Sequence, residues 1–212
     1  MRNGWLWGVC GVALLAAGCA SVMLPAGPDI YSMPRRPNAA TIVVAKPMDP
    51  RGNKTQLGRI SATSLSMKAD PTELVGKEVV AALYEQGING TLGHVSSRDT
   101  ASFARVAADS QAQGVLAVDV QALTISSVDA LLDPPTATAT LHGTLYDRNG
   151  NELGAATVTG TVQRRINAFA LEKSAGQLVS EAMHDAARRL VVHGEITGSM
   201  SKVASVSQQK EE

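Results

Sequence analysis

Three segments of alternating apolar and polar residues constrain the fold of this chain more than any other feature. Residues 115–126, 136–146 and 153–163 each alternate with a period of two, which is typical of strands with one buried and one solvated face. Between the second and third segments, Asn149-Gly150 suits a tight hairpin turn. The sequence therefore predicts an antiparallel meander. The predicted inward residues are Leu116, Val118, Val120 and Ala122, then Ala137, Ala139, Leu141 and Leu145, then Ala156, Val158, Gly160 and Val162.

The rest of the chain predicts helices and one buried strand. The β-branched run 39–45 indicates a strand that is buried on both faces. Asp70-Pro71 starts a first helix that ends at Gly87, with Glu73 placed to complete a capping box. Further helices are predicted over Asp99–Gln113 and Ala170–His193, with Gly194 ending the last. We therefore expect an α+β fold of order β-α-(β)-α-β-β-β-α, a mixed, mainly antiparallel sheet with helices packed on one face.

The N-terminus carries the features of a secretory signal peptide. Met1 and Arg2 are followed by an uncharged, mostly apolar run from Gly4 to Ala17, with small residues before Cys19. A membrane-spanning helix needs about 20 apolar residues. The run reaches that length only by crossing small and polar residues, so an uncleaved anchor is the weaker alternative.

The run ends in a motif that resembles the bacterial lipobox, Leu15-Ala16-Ala17-Gly18-Cys19. The resemblance implies that Leu15, Ala16, Ala17 and Gly18 are recognised by the signal peptidase. It also implies that Cys19 is lipidated and becomes the first residue of the mature chain. Ala20 and Ser21 follow Cys19 where an Asp would favour the inner membrane. The resemblance therefore implies a lipid anchor in the outer membrane, facing the periplasm.

Composition divides the mature chain into three parts. Residues 19–38 carry four prolines and predict an extended, unpaired, lipidated linker in which Arg35-Arg36 could contact lipid headgroups. Residues 39–196 form the predicted periplasmic α+β domain, and residues 197–212 show no periodicity and predict a disordered tail. Residues 1–18 are the predicted signal peptide.

Composition also excludes several classes of function. Lys plus Arg and Asp plus Glu each number 19, so no strong basic field exists for nucleic acid. Aromatic residues make up 3%, too few for a surface that stacks on carbohydrate or single strands. Cys10 leaves with the signal peptide and Cys19 carries the lipid, so the mature chain has no disulfide and no thiolate metal site.

We find no catalytic set in the sequence and predict no enzyme activity, cofactor or metal. Glu181 and His184 share a helical face but lack further ligands, and His142 has no supporting acid or nucleophile nearby. The doublets Arg164-Arg165 and Arg188-Arg189 fit solvated element ends better than anion sites. A row of threonines on the polar side of the meander could instead receive a partner protein or a second copy, although threonine also suits any solvated strand. These residues are Thr138, Thr140, Thr144, Thr157, Thr159 and Thr161.

Motif order resembles that of the YajG family of bacterial lipoproteins over about residues 39–196. The resemblance rests on the lipobox, the loop residues Asp49, Arg51, Leu57 and Gly58, the inward Leu83, the strand 116–123, the hairpin 146–153 and the last helix. It implies a location and a fold rather than an activity.

Three functional hypotheses follow from these features. The first is a non-enzymatic interaction or assembly module that binds another envelope protein. The second is an auxiliary lipoprotein of an ABC-type lipid or solute transport system, which predicts a hydrophobic groove. The third is a hydrolase, which requires His142 or His184 to meet an acid and a nucleophile.

Overall fold

The computed structural model describes residues 18–128 and 133–208, which form an α+β fold. Its strands are β1 (Cys19–Val22), β2 (Thr41–Ala45), β3 (Gln56–Ile60), β4 (Thr63–Met67), β5 (Asn89–Gly93), β6 (Gly114–Ser127), β7 (Thr136–Asp147) and β8 (Glu152–Gln163). Its helices are α1 (Pro71–Glu85), α2 (Thr100–Asp109), α3 (Leu171–Val192) and α4 (Gly194–Gln208). Short 3-10 turns occupy Ile30–Ser32 and Ala168–Ala170.

The sheet is built around β6, its longest strand. One edge of β6 pairs antiparallel with β7, which pairs in turn with β8. The other edge pairs in parallel with β2 over the first half of β6 and with β3 over the second half. Next to β2 lies β5, and next to β3 lie β4 and then β1. The expected mixed sheet is confirmed.

Helices cover both faces of this sheet unequally. Val44 and Leu116 face a large core shared with α1, α3 and α4, whereas Val43 and Val115 face a small core under α2. The expectation that helices lie on one face therefore holds for α1, α3 and α4, while α2 covers part of the opposite face. Burial of β2 on both faces is confirmed, because Ile42 to Ala45 are at most 1% exposed.

The predicted meander is confirmed with one correction. The inward residues of β7 and β8 lie in the large core as expected. A β-bulge between Val120 and Ala122 shifts the alternation of β6, so that Leu123 and Ile125 point into the core and Ala122 does not. A bulge adds one residue to one strand and inverts the pattern beyond it.

The prediction of an unpaired linker over residues 19–38 is wrong for its first four residues. Cys19 to Val22 pair in parallel with β4, and Val22 is 1% exposed in the large core. Farther along, the Arg36 amide donates to Asn89, and the Arg36 guanidinium lies 4.3 Å from the centre of the Tyr84 ring. The segment is therefore fastened to the domain at both ends, and Arg36 is held against α1 rather than free for lipid.

The prediction of a disordered tail over residues 197–212 is also wrong for the described part of that segment, because α4 continues to Gln208. Ile196 is fully buried and Met200 is 5% exposed against the large core. The Ser199 hydroxyl donates to the carbonyl of Leu153 in β8. Ile196 and Met200 are the buried apolar residues among the described side chains of this serine-rich helix, and two such residues are too few to mark a clear period in the sequence.

A buried ion pair fixes the loop after β2. Arg51 donates from Nε to Asp49 Oδ1 over 2.7 Å and from Nη2 to Oδ2 over 2.6 Å. Burial alone would raise the pKa of the Asp49 carboxyl, but the hydrogen bonds and charge of Arg51 outweigh it and lower that pKa. Gly58 in β3 has φ +131°, and a Cβ there would lie 2.3 Å from the Ile125 carbonyl oxygen. Asp49 and Arg51 thus fix this loop, and Gly58 permits the close approach of β3 to β6.

Candidate functional site

The polar side of β7 and β8 forms an open surface, which we call the threonine face. It consists of Thr138, Thr140 and Thr144 from β7 and Thr157, Thr159 and Thr161 from β8. The three β8 side chains are exposed and the three β7 side chains are half-buried. In the described part of the chain, α2 packs only at the hairpin end of this side, where Phe103 stacks on Tyr146 at 4.2 Å. No other described helix covers the rest of the face, so it remains open for the partner that the sequence analysis considered.

His142 lies at the centre of the threonine face. Its Nδ1 is 2.9 Å from Thr157 Oγ1, and its Nε2 is 3.3 Å from Thr144 Oγ1. A neighbouring pair, Thr140 and Thr159, joins the two strands at 3.1 Å. These bonds hold the imidazole and the hydroxyls in a fixed array of donors and acceptors.

An ion pair borders the face where α2 begins. Asp119 stands opposite His142 in the ladder, and its Oδ1 accepts from Arg98 Nη1 at 2.6 Å. Arg98 precedes Asp99, which caps α2 through the Ser102 amide. Hydrogen bonds from the Ser97 hydroxyl and the Ser102 amide lower the pKa of Asp99. The border is therefore fixed by charge-assisted bonds, which are about twice as strong as neutral ones.

Most of the remaining candidate residues of the sequence form separate side-chain pairs. His184 Nδ1 lies 2.8 Å from the buried Glu78 of α1, and Glu181 pairs with Arg164 at 2.9 Å. Glu181 and His184 are thus turned to different partners, and no metal-binding group occurs among residues 18–128 and 133–208. Arg188 pairs with Glu85 and Arg189 with Asp185. On the described side chains, neither His142 nor His184 contacts both an acid and a hydroxyl.

A cleft of about 380 Å³ at the start of α1 was not foreseen from the sequence. It lies at the carboxyl ends of the parallel strands β2 and β5, a common location for ligands in sheets of this kind. Thr72 is 4% exposed there, and its Oγ1 has no hydrogen-bond partner in the described structure. The lining residues are Lys46, Pro47, Asp70, Thr72, Glu73, Gly76, Leu92, Gly93 and His94. Asp70 caps α1 by accepting from the Thr72 amide, as expected. Glu73 pairs with Lys77 instead of completing the expected capping box.

Cys19 is exposed at the first position of β1. The carbonyl of Gly18 accepts from the Ser64 amide at 3.0 Å, so the sheet contacts begin before the cysteine. Leu15, Ala16 and Ala17 lie outside the described residues. Among the helices that the structure describes, none is long and apolar enough to cross a membrane.

Comparisons with known proteins define the fold and go no further. No family model matches the sequence, and no curated protein matches it. Protein XCC0632 from Xanthomonas campestris, of the family DUF330, is 17% identical with a TM-score of 0.51, covering 87% of this chain and 98% of that one.

Two further solved structures are similar at a lower level. The hypothetical protein CT253 from Chlamydia trachomatis is 12% identical with a TM-score of 0.49, covering 79% of this chain and 99% of that one. Lipoprotein GNA1162 from Neisseria meningitidis is 19% identical with a TM-score of 0.37, covering 66% and 93%. The first similarity shows a shared fold, and the two weaker ones carry no argument about function.

Proposed function

We propose that this chain is a bacterial lipoprotein of the YajG type, anchored through Cys19 in the outer membrane and facing the periplasm. Its domain acts by binding another envelope protein rather than by catalysis. The signal-peptide pattern and the lipobox support the anchor. The exposed position of Cys19 at the start of β1 leaves its thiol accessible for a lipid.

The observation that carries the binding role is the uncovered threonine face. Helices α1, α3 and α4 cover one face of the sheet, and on the other face β7 and β8 leave a flat row of hydroxyls open to solvent. Short β-branched side chains lose little conformational freedom when a partner covers them. The hydrogen bonds around His142 further fix the positions of these groups before binding. An ordered polar surface suits a protein partner with a complementary polar face.

Photo-crosslinking in living cells tests this role. A benzophenone amino acid is placed at Thr159 in one strain and at Thr55, an exposed threonine in the loop before β3, in a control strain. We expect one discrete heteromeric adduct from Thr159 and none from Thr55. The adduct should be at least tenfold weaker when Thr157→Arg is combined with the probe at Thr159. Equal labelling from both positions, or an adduct that contains only a second copy, would contradict the proposal.

The cleft at α1 favours a second candidate function, that of an auxiliary component of an ABC-type lipid or solute transport system. This hypothesis predicted a hydrophobic groove, and Pro47 and Leu92 supply apolar walls beside the unpartnered Thr72 hydroxyl. A fluorescent fatty acid should then bind the purified protein, and Gly76→Leu should weaken binding at least tenfold by filling the cleft. Unchanged binding by that variant would reject the cleft as the site.

A further inference from the structure

The register of the sheet places Cys19 in one row with residues from five other strands. Cys19 pairs with Ser64, Ser64 with Arg59, and Arg59 with Ser126. The row continues from Ser126 through Thr136 to Gln163 at the end of β8. One end of the sheet, from its first strand to its last, therefore lies level with the proposed lipid attachment point.

Two fully exposed apolar side chains extend from this end. Val128 directly follows β6 and is 92% exposed, and Phe169 is 102% exposed in the turn between β8 and α3. Phe169 is tied to the same end, because Glu172 in the first turn of α3 accepts the Ser21 amide of β1 at 3.3 Å. They are the two most exposed of the large apolar side chains recorded for the described residues. At the end of the sheet that carries Cys19, these two side chains offer apolar area to a surface outside the domain.

Basic side chains accompany them. Arg59 lies in the row itself and Arg165 follows β8, and both are exposed. Within residues 18–128 and 133–208 neither forms an ion pair. Among the described acids near this end, Glu172 accepts from the Ser21 amide and Asp133 accepts from the Gln163 side chain, so neither is held by an arginine. The end therefore presents two arginines without an ion-pair partner in the described structure beside exposed apolar groups.

We propose that this end, the anchor end (Arg59, Val128, Arg165 and Phe169), rests on the phospholipid surface to which the lipid of Cys19 attaches. The inference rests on the proposed lipidation and adds an orientation to it. Because β1 begins at Cys19, no free linker separates the acyl chains from the sheet. The strands then extend away from the bilayer, and the threonine face is directed parallel to the membrane surface in the periplasm.

A bilayer fits this surface better than a protein partner does. Apolar side chains that flank arginines are the pattern of a surface that enters the headgroup region, where anionic lipids attract the guanidinium groups. A lipid held at Cys19 keeps the anchor end at the membrane permanently, so even weak contacts there are always made. A domain on a free linker would lack this constraint and would sample all orientations.

Depth measurements on the full mature chain test the proposal. The mature chain carries no thiol except the one that is lipidated, so Val128→Cys and Phe169→Cys can each be labelled with a nitrobenzoxadiazole dye without background. The lipidated variants are reconstituted into phosphatidylethanolamine–phosphatidylglycerol vesicles that contain spin-labelled lipid. We expect the dye at both positions to be quenched at least threefold more strongly than at Val192→Cys. Val192 is an exposed valine at the far end of α3, about 30 Å along the helix from its start.

Charge reversal provides the second readout. Arg59→Glu combined with Arg165→Glu should lower the quenching of the dye at residue 169 at least twofold, whereas Arg189→Glu should leave it unchanged. Intact mass is measured on every sample first. Lipidated protein with equal quenching at residues 128, 169 and 192 would overturn the orientation and leave the lipid anchor standing. An unmodified Cys19 would overturn both. If a second copy of the chain, and not lipid, covers the dye at residue 169, the proposed contact with lipid would also be overturned.

Discussion

Replacement of Arg51 by Met removes the partner of a buried carboxylate while it keeps the apolar stem of the side chain. The side chain of Asp49 is 2% exposed and that of Arg51 is 11% exposed. Arg51 also donates to the carbonyls of Leu123 and Lys54, so it joins the loop after β2 to β6. Loss of one partner of a buried ion pair costs about 3–5 kcal/mol, because the remaining charge is left in a dry site. We expect Arg51→Met to lower the free energy of unfolding by this amount.

The pH dependence gives this prediction a second test. In the native protein the pKa of Asp49 is lowered below its ordinary value of 3.8, so the pair contributes fully above that pH. The contribution is lost as the pH falls through the folded pKa. In Arg51→Met, burial acts without the arginine and raises the pKa of Asp49. The difference in the free energy of unfolding between wild type and variant should therefore become smaller as the pH is lowered from 7 to 4.

Urea unfolding at pH 7 and pH 4 measures these differences on the mature chain with Cys19→Ser, which cannot be lipidated. Arg189→Met is the matched control, because Arg189 and Asp185 form an exposed pair four residues apart that is worth about 0.5 kcal/mol or less. The double variant Asp49→Asn/Arg51→Met should recover at least about 1 kcal/mol relative to the single variant. A loss under about 1 kcal/mol for Arg51→Met, or no recovery in the double variant, would refute the reasoning.

Three further predictions follow from close approaches and burial. Gly58→Ala should cost about 2 kcal/mol or more in urea unfolding, because φ is +131° and a Cβ would meet the Ile125 carbonyl. Ile196→Ala should cost about 2–4 kcal/mol by the same assay, because Ile196 of α4 is fully buried. Gly176→Ala should speed proteolysis of residues 19–23 severalfold. An added Cβ would clash with the Met23 carbonyl and displace β1.

Matched positions control each of these variants. Gly52 and Gly198 have no atom within 4 Å of an added Cβ, so Gly52→Ala and Gly198→Ala should be neutral or slightly stabilising. Glu195 precedes Ile196 but is exposed, and Glu195→Ala should change stability by less than about 0.5 kcal/mol. Equal effects at the test and control positions would contradict the packing described for β3, α4 and β1.

The long elements of the fold were predictable because their patterns are repeated many times. The alternation over β7 and β8 lasts eleven residues in each segment, and the capping aspartates before α1 and α2 mark their starts. The helix α2 nevertheless ends at Asp109 instead of Gln113. The helix α3 ends at Val192, and α4 follows it. Such end points depend on packing rather than on local preference.

Short elements escaped prediction because tertiary contacts form them. β1 is four residues long and becomes a strand only beside β4. In β3, Gly58 breaks the alternation between Leu57 and Ile60, and β4 carries only two buried apolar side chains. The helix α4 packs against β8, β7 and α3, and no local pattern reveals these contacts.

The same distinction applies to the candidate sites. The threonine face follows from strand alternation, so its six residues could be named from the sequence. The anchor end needs the register of six strands to bring Cys19, Arg59 and Gln163 into one row. Val128 and Phe169 are single apolar residues in connecting segments. Such residues are common in sequences, and only their position in the fold indicates a role.

The mass of the mature N-terminus tests the central claim most directly. Protein extracted from the membrane fraction of the native host is analysed by intact mass spectrometry and by fragmentation of its first peptide. We expect a chain that begins at Cys19, with a diacylglyceryl thioether on its sulfur and an acyl chain on its amino group. A chain that retains the residues before Cys19, or one with a free thiol at Cys19, would contradict the account.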